Sequence, residues 1–255
     1  MVATLTEVEF DLTWEALGLG ERPYPIDVPS FGTTTSEREE LRIGVIGSLT
    51  AKNLHDGREL DRELEDHLVL LARNDFSLDG LLSVGVPLRV LGVGQGSRSA
   101  LAVQAGGEIR VGAAGPGGVV AEVAGMLPEV PAGPGNPVTL PKQVFHDAID
   151  AYVAGGFANL EHALNRGGVS GRDLRTVTTL VESARSGGGQ VAANTVDRVG
   201  RRTRTPVLNW FDTSAGRYLV LTSPQPDGSD WLTIGPVDPQ RLAGRIRDLV
   251  DGVRA

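Results

Sequence analysis

The sequence predicts an α+β fold, in which runs of strands are flanked by helices. The main observation is segment 207–250, VLNWFDTSAGRYLVLTSPQPDGSDWLTIGPVDPQRLAGRIRDLV, whose composition predicts three strands and then a helix. A second observation is that a pair of predicted helices precedes each of two runs of strands. The resulting order of helix, helix, strands and helix occurs twice, which fits α+β better than a parallel βαβ sheet.

Local signals define the elements of segment 207–250. Turns are predicted at 213–216, where Gly216 accommodates a positive φ, and at 226–228, where a proline and a glycine flank an aspartate. Asp238 is the predicted N-cap of the closing helix, and Pro239 is its first residue. None of these residues forms an arrangement of acid, base and nucleophile, so we predict no catalytic residues here.

The N-terminal half shows the same alternation of signals. The motif Ser36-Glu-Arg-Glu39 is a capping box that predicts the start of the first long helix. The predicted elements are a helix within 7–18, an extended proline-punctuated segment at 22–29, helices at 36–53 and 58–73, strands at 81–93, 100–104 and 108–111, and a helix at 117–127.

The C-terminal half follows a linker at 128–141, PEVPAGPGNPVTLP, which contains five prolines. We therefore predict a single domain over 1–255, made of two halves at 1–128 and 142–255. The elements predicted before segment 207–250 are a helical region at 142–166 interrupted at Gly155-Gly156, a helix from Ser170, and a strand at 190–196.

The two halves align with each other at low identity. Segment 98–104, RSALAVQ, matches segment 217–223, RYLVLTS, and in both halves a turn, a strand and a closing helix come next. The match between these segments predicts two half-domains related by a quasi-two-fold repeat.

Composition narrows the classes of function. The 255-residue chain has a formal net charge of −8, which disfavours nucleic acid as a partner, and it has no cysteine, which excludes disulfides and thiolate chemistry. The first residues lack the pattern of a signal peptide, and no apolar run is long enough to insert into a membrane. We therefore expect a cytoplasmic protein.

A glycine-rich turn at 112–118 offers an alternative function. It follows a predicted strand and precedes a predicted helix, the setting in which a helix N-terminus binds a pyrophosphate. The glycines are spaced as GxxGxG, whereas the dinucleotide fingerprint is GxGxxG. A nucleotide- or dinucleotide-binding enzyme or sensor using 112–118 is therefore the alternative reading, while the leading reading has no cofactor.

Metal and nucleic-acid sites are not indicated. His146 and Asp150 are four residues apart on a predicted helix, a spacing that fits a surface contact better than a metal site. The arginines near residue 200, namely Arg198, Arg201, Arg202 and Arg204, lack interleaved aromatics. They fit an exposed strand edge or loop better than a nucleic-acid surface.

Three segments resemble the EspG family, the ESX (type VII) secretion-associated proteins of mycobacteria and related actinobacteria. They are FDLTWEALGLGERPYPIDVPS at 10–30, DRVGRRTRTPVLNWFDTSAGRYLV at 197–220, and DWLTIGP at 230–236. The resemblance implies a central, mostly antiparallel sheet flanked by helical bundles. It also implies a non-enzymatic chaperone that binds PE–PPE heterodimers at the helical tip of the PPE protein, keeps them soluble and directs them to the secretion apparatus.

The resemblance also implies where a partner binds, namely the sheet, a strand-connecting loop of the first half and the C-terminal helical bundle. In this sequence the partner-binding candidates are the loop residues Gly94, Gln95, Gly96, Ser97 and Arg98, and the strand residues Trp210, Asp212, Arg217 and Tyr218. The sequence leaves open whether Trp210, Tyr218 and Trp231 face the core or the partner. It also leaves open the formation of a homo-oligomer.

Overall fold

The structure is a computed structural model that describes residues 2–196, 199 and 201–254. Its elements alternate as the sequence predicts. Up to residue 125 they are β1 (Val2–Thr6), α1 (Glu7–Ala16), α2 (Thr35–Ala51), α3 (Arg62–Ala72), β2 (Phe76–Ser83), β3 (Pro87–Gln95), β4 (Arg98–Ala105), β5 (Glu108–Gly112) and α4 (Gly118–Gly125).

The later elements begin inside the proline-rich segment. They are β6 (Val138–Pro141), α5 (Lys142–Gly155), α6 (Phe157–Arg166), α7 (Gly171–Glu182), β7 (Gly187–Val196), β8 (Arg202–Arg204), β9 (Leu208–Thr213), β10 (Gly216–Pro224), β11 (Asp230–Pro236) and α8 (Pro239–Arg254). The predicted interruption at Gly155-Gly156 is confirmed, since α5 ends there and Gly156 has a φ of 75°.

The chain divides into two compact units. Unit 1 takes in Met1–Leu127, Val191–Thr205 and Ile246–Ala255, and unit 2 takes in Pro128–Gln190 and Pro206–Arg245. In unit 1 the strands are ordered β1-β5-β4-β3-β2-β7, with β8 paired to β7. Every strand pair from β1 to β2 in that order is antiparallel, as is the pair of β7 and β8.

Unit 2 contains the order β7-β9-β10-β11-β6, where β7 contributes its first residues. The pairs β9–β10, β10–β11 and β11–β6 are antiparallel. Each unit therefore has an edge strand that precedes the helices in sequence, β1 or β6, beside the last strand of a meander, β5 or β11. This shared order supports the predicted quasi-two-fold repeat, which stays a prediction, as does the division into halves.

Three local predictions differ from the structure. Helix α2 starts one residue after Thr34, whose hydroxyl accepts the Glu37 N–H at 3.2 Å while the Glu37 carboxylate accepts the Thr34 N–H at 3.1 Å. The predicted capping box at Ser36 is thus wrong by two residues, because Thr-Thr-Ser-Glu fits the same motif earlier. The predicted strand 81–93 is instead part of the β2–β3 hairpin, which turns at Gly85 with a φ of 92°.

The predicted linker 128–141 also differs in its last four residues. Val138–Pro141 forms β6, which pairs antiparallel with β11. Val, Thr and Leu favour a strand, and an edge strand tolerates a terminal proline because one side of its backbone needs no partner.

Unit 1 has a core formed by α1, α3 and one face of the sheet. Phe10 and Trp14 of α1 stack with ring centroids 5.3 Å apart, and both are buried. Leucines of α3, including Leu64, Leu68 and Leu71, pack into the same cluster. Their spacing of three and four residues places them on one face of the helix, as the sequence predicts.

Unit 2 has its core on the sheet face that carries Tyr218 and Ile234. These side chains cluster with Leu180 of α7, while Leu140 and Leu232 of the same sheet cluster with α5 and α6. Strand alternation sends every second residue of β10 and β11 to this face and the intervening residues to the other face.

A charged group lies at the edge of the unit 1 core. Glu9, only 2% exposed, accepts hydrogen bonds from Lys52 Nζ at 2.7 Å, Ser48 Oγ at 2.6 Å and the Thr6 N–H at 2.6 Å. Burial raises the pKa of Glu9, but the bonds from Lys52, Ser48 and Thr6 outweigh burial and hold the pKa below its ordinary value. The folded state therefore favours the ionised carboxylate.

We expect Glu9 to make the free energy of unfolding depend on pH in the acidic range. Because its pKa is lower in the folded state, its stabilisation is present at neutral pH and is lost as the pH falls below the unfolded value of about 4.3 and through the folded pKa. Glu9→Gln should lower the free energy of unfolding by about 1–3 kcal/mol at pH 7. Urea titrations at several pH values should show this loss shrinking in acid.

Glu40→Gln is the matched control, because Glu40 is exposed on α2. It should leave the free energy of unfolding unchanged within about 0.5 kcal/mol. A Glu9→Gln loss that stays constant down to acid pH would contradict the assigned ionisation.

Candidate functional site

The β9–β10 hairpin carries four of the residues predicted to bind a partner. Asp212 pairs across the hairpin with Arg217, and Trp210 pairs with Leu219. Trp210, Asp212 and Arg217 therefore lie on one face of the sheet, while Tyr218 lies on the other face and is opposite Phe211. The turn predicted at 213–216 connects the strands, and the Thr213 hydroxyl donates to the Gly216 carbonyl at 3.1 Å.

Asp212 and Arg217 form a buried ion pair. Arg217 Nε donates to Asp212 Oδ1 at 2.7 Å, and Nη2 donates to Oδ2 at 2.9 Å. Arg217 is 0% exposed and Asp212 is 2% exposed. This two-point geometry matches the fork of a guanidinium to a carboxylate, the arrangement that best offsets the cost of removing both charges from water.

Arg217 also fixes the proline-rich segment. Its Nη2 donates to the Pro128 carbonyl at 3.0 Å, its N–H donates to the Pro131 carbonyl at 2.8 Å, and its carbonyl accepts the Gly133 N–H at 3.1 Å. One residue of β10 thus provides hydrogen bonds for a segment whose prolines lack N–H donors of their own.

Tyr218 holds the same segment from the other face. Its hydroxyl donates to the Pro134 carbonyl at 3.0 Å, and its ring lies so close to Gly133 that a Cβ there would be 2.2 Å from Tyr218 Cζ. Its ring stacks on Phe211 at 5.5 Å, and burial raises the pKa of the Tyr218 hydroxyl. Glycine is therefore required at position 133 by close packing.

These contacts place the four strand residues in the interior. Trp210 is 3% exposed and Tyr218 is also buried, so the question left open by the sequence is answered for both: they face the core. In this structure no side-chain surface is available to a partner at any of the four, namely Trp210, Asp212, Arg217 and Tyr218. Trp231 differs, because it is half-buried, although its pairing with Ser223 places it on the same sheet face as Trp210 and Arg217.

The predicted loop Gly94–Arg98 is a tight hairpin turn between β3 and β4. Gln95 pairs with Arg98 across it, Arg98 Nη2 donates to Gln95 Oε1 at 2.6 Å, and Gly96 has a φ of 59°. Gly96, Ser97 and Arg98 are exposed, whereas Gly94 is buried against Phe76. Partner binding by this loop stays a prediction.

The structure reveals an exposed apolar surface that the sequence reading missed. At the α5–α6 junction Val153 is 81% exposed and Phe157 is 40% exposed. The residues around them, Ala154, Gly155 and Ala158, are also exposed and carry no charge. The signal was present in the uncharged run Val-Ala-Gly-Gly-Phe-Ala, which we used only to predict a helix break. We call residues 153–158 the apolar turn.

The glycine-rich turn at 112–118 lacks the setting of a dinucleotide site. Strand β5 is antiparallel to both β1 and β4, whereas the dinucleotide motif needs parallel strands. The Gly115 N–H donates to the Glu122 carboxylate at 3.0 Å, so a negative charge already lies at the turn. The alternative function therefore has no geometric support here.

The remaining candidates also fit structural roles. His146 and Asp150 are exposed on α5, and the described part of the chain contains no group of three or more side chains suited to a metal ion. Arg202 and Arg204 lie on strand β8, Arg201 precedes it, and Arg198 lies outside the described residues. Within residues 2–196, 199 and 201–254, no helix is both long and apolar enough to cross a bilayer.

The fold and the exposed surfaces define an α+β protein with a large antiparallel meander in each unit and an apolar turn exposed on unit 2. A family model described as the EspG family matches residues 6–248. The chain therefore belongs to the EspG family, as its sequence resemblance indicated.

A solved structure gives the same fold. The chain is similar to one in the complex of the Mycobacterium tuberculosis type VII secretion system chaperone EspG5 with a PE25–PPE41 dimer. The TM-score is 0.76 at 16% sequence identity, over 98% of this chain and 97% of that chain. No curated protein matches the chain in sequence.

Arg217→Leu tests the role of the buried pair. It leaves the Asp212 carboxylate buried without its cation and removes the bond to Pro128, so we expect a loss of about 3–5 kcal/mol in the free energy of unfolding. Urea denaturation followed by tryptophan fluorescence measures the change. Arg175→Leu, at an exposed position of α7, is the control and should change stability by less than about 0.5 kcal/mol. Equal effects of the two substitutions would refute the assignment.

Proposed function

We propose that the protein is a non-enzymatic, cytoplasmic chaperone that binds a helical PE–PPE-like heterodimer and directs it to a type VII secretion apparatus. Membership of the EspG family and the fold shared with EspG5 support this function. The observation in this chain that carries the proposal is the apolar turn of unit 2, with Val153 and Phe157 exposed to solvent.

The apolar turn suits the tip of a helical partner. Exposed side chains of this size are stabilised when a partner removes them from water, by about 25 cal/mol for each Å² of apolar surface buried. Nothing lies within 4 Å of the position that a Cβ would take at Gly156, so a partner helix can approach the backbone closely there. A chaperone for an apolar helical tip needs such a surface and needs no acid–base chemistry.

The half-buried Trp231 of the unit 2 sheet offers a second contact for the same partner. Trp231 of β11 lies between Ser223 of β10 and Pro141 of β6, and the neighbouring Thr139 and Thr233 hydroxyls bond to each other at 2.9 Å. A half-buried tryptophan with polar neighbours is typical of a binding hot spot. We assign direct contact to Trp231 and a positioning role to the buried Arg217 and Tyr218.

Unit 1 is predicted to contribute the β3–β4 turn. Arg98 is exposed there, and its guanidinium remains at the surface while bonded to Gln95. Charged groups at the rim of an interface affect specificity more than affinity. We therefore propose that Arg98 helps to distinguish one helical cargo from another.

Val153→Glu combined with Phe157→Glu tests the apolar turn. Placing two carboxylates where the partner buries apolar surface should weaken binding by about tenfold or more. The full chain is co-expressed with PE–PPE pairs of the native host, and calorimetry measures the affinity of the purified proteins.

Val86→Glu is the matched control, because Val86 is 56% exposed at the β2–β3 turn. It should leave cargo affinity unchanged. Undiminished binding by the folded double variant would remove the apolar turn from the interface. Failure of the wild-type chain to bind any PE–PPE-like pair would refute the proposed function itself.

A further inference from the structure

Unit 1 contains a polar cleft that the proposed chaperone function does not use. It encloses about 730 Å³ between residues 21–24, the end of α3 and the strands β2, β3, β7 and β8. The residues that line it and carry charge are Glu21, Arg22, Arg73, Asp79, Arg202 and Arg204.

The floor of the cleft is a row of side chains across the sheet. Leu91 of β3 pairs with Asp79 of β2, and Arg204 of β8 pairs with Asn194 of β7. Asn194 Nδ2 donates to Asp79 Oδ2 at 2.7 Å, which joins the two halves of the row. Four strands separated by three spacings of about 4.8 Å give the row a length of about 14 Å.

The acidic group in the floor is already neutralised. Arg204 donates to both oxygens of Asp79, at 2.6 Å from Nη1 and 2.9 Å from Nη2, and Asp79 is only 4% exposed. The guanidinium of Arg204 also lies 5.8 Å from the ring centroid of Tyr24, which is 55% exposed at the rim. The floor therefore offers no net negative charge to a ligand.

Other arginines give the cleft a positive character. Arg73 and Arg202 are exposed, and neither makes an ion pair within the described part of the chain. Arg22 is paired with Asp11, yet its Nε is buried without a hydrogen-bond acceptor in the described residues. Four arginines and two carboxylates line this cleft in a chain whose net charge is −8.

We propose that this cleft binds an acidic segment of a polypeptide in extended conformation, with carboxylates paired to Arg73 and Arg202. Four extended residues span about 13 Å, which matches the length of the floor row. A single phosphate or carboxylate ion would need donors converging on one point, whereas Arg204 is committed to Asp79 and the unpaired guanidiniums stand on different elements. The length of the cleft and its distributed charge both favour a chain.

The test uses the full-length protein and a fluorescein-labelled oligoglutamate peptide as the probe. Fluorescence anisotropy measures its affinity at low ionic strength, where the Debye length is about 30 Å. We expect binding that weakens with added salt, and no binding of an oligoglutamine peptide of the same length. Absent oligoglutamate binding, or equal binding of the two peptides, would overturn the proposal.

A pair of double variants locates the site. Arg73→Gln with Arg202→Gln removes both unpaired cations and should weaken oligoglutamate binding by about tenfold. Arg166→Gln with Arg175→Gln removes the same charge from exposed positions on α6 and α7 and should leave the affinity unchanged. Equal weakening by the two double variants would show a general charge effect and overturn the proposal.

Two further measurements test whether the cleft binds small anions instead of a peptide, and whether it is separate from the cargo interface. Inorganic phosphate that displaces the peptide at equal ionic strength, where sodium chloride does not, would indicate a site for small anions and overturn the peptide assignment. The Arg73→Gln, Arg202→Gln variant should still bind the PE–PPE-like pair at wild-type affinity. Loss of that binding would show that these arginines belong to the cargo interface and would overturn a separate site.

Discussion

The buried ion pair between Asp212 and Arg217 is the constraint on which unit 2 depends. Removing two charges from water is costly. Their mutual attraction offsets this cost only where the geometry is good and further hydrogen bonds are made. The Pro128 carbonyl gives the guanidinium a further acceptor, and the backbone N–H of Arg217 bonds to the Pro131 carbonyl. These bonds also attach a segment that has too few N–H donors to form a regular element. Arg217 therefore holds residues 128–133 against β10.

The sequence predicts which strands and turns form in this region better than it predicts which of their side chains are buried. The β-branched and aromatic residues, together with a glycine turn, are sufficient to predict the β9–β10 hairpin. The burial of Arg217 was not predictable, because arginine is usually exposed and one of its acceptors, the Pro128 carbonyl, lies 89 residues earlier in the chain. The glycine at position 133 was assigned to a linker, although its requirement comes from the ring of Tyr218, which no local pattern encodes.

The same reasoning explains why the candidate site was only partly predictable. The family resemblance points to the sheet, and tryptophan and tyrosine are frequent in hot spots, so the strand aromatics are the predicted binding residues. In this chain the strands use Trp210 and Tyr218 for the core, and exposed apolar area comes from the turn at Val153 and Phe157. A sequence pattern shows that a helix breaks at glycine. It does not show whether other chain segments cover the break, because that depends on long-range packing.

The two surfaces differ in the physics of recognition. Burial of apolar area at the turn of unit 2 is driven by the release of water and is strengthened or little affected by salt. Pairing of carboxylates with Arg73 and Arg202 in unit 1 is a surface electrostatic interaction, and added salt weakens it by shortening the Debye length, which is about 8 Å at physiological ionic strength. Binding at the apolar turn and binding in the cleft are therefore expected to respond differently to salt. Salt dependence therefore distinguishes an apolar helical cargo from an acidic peptide without knowledge of either sequence.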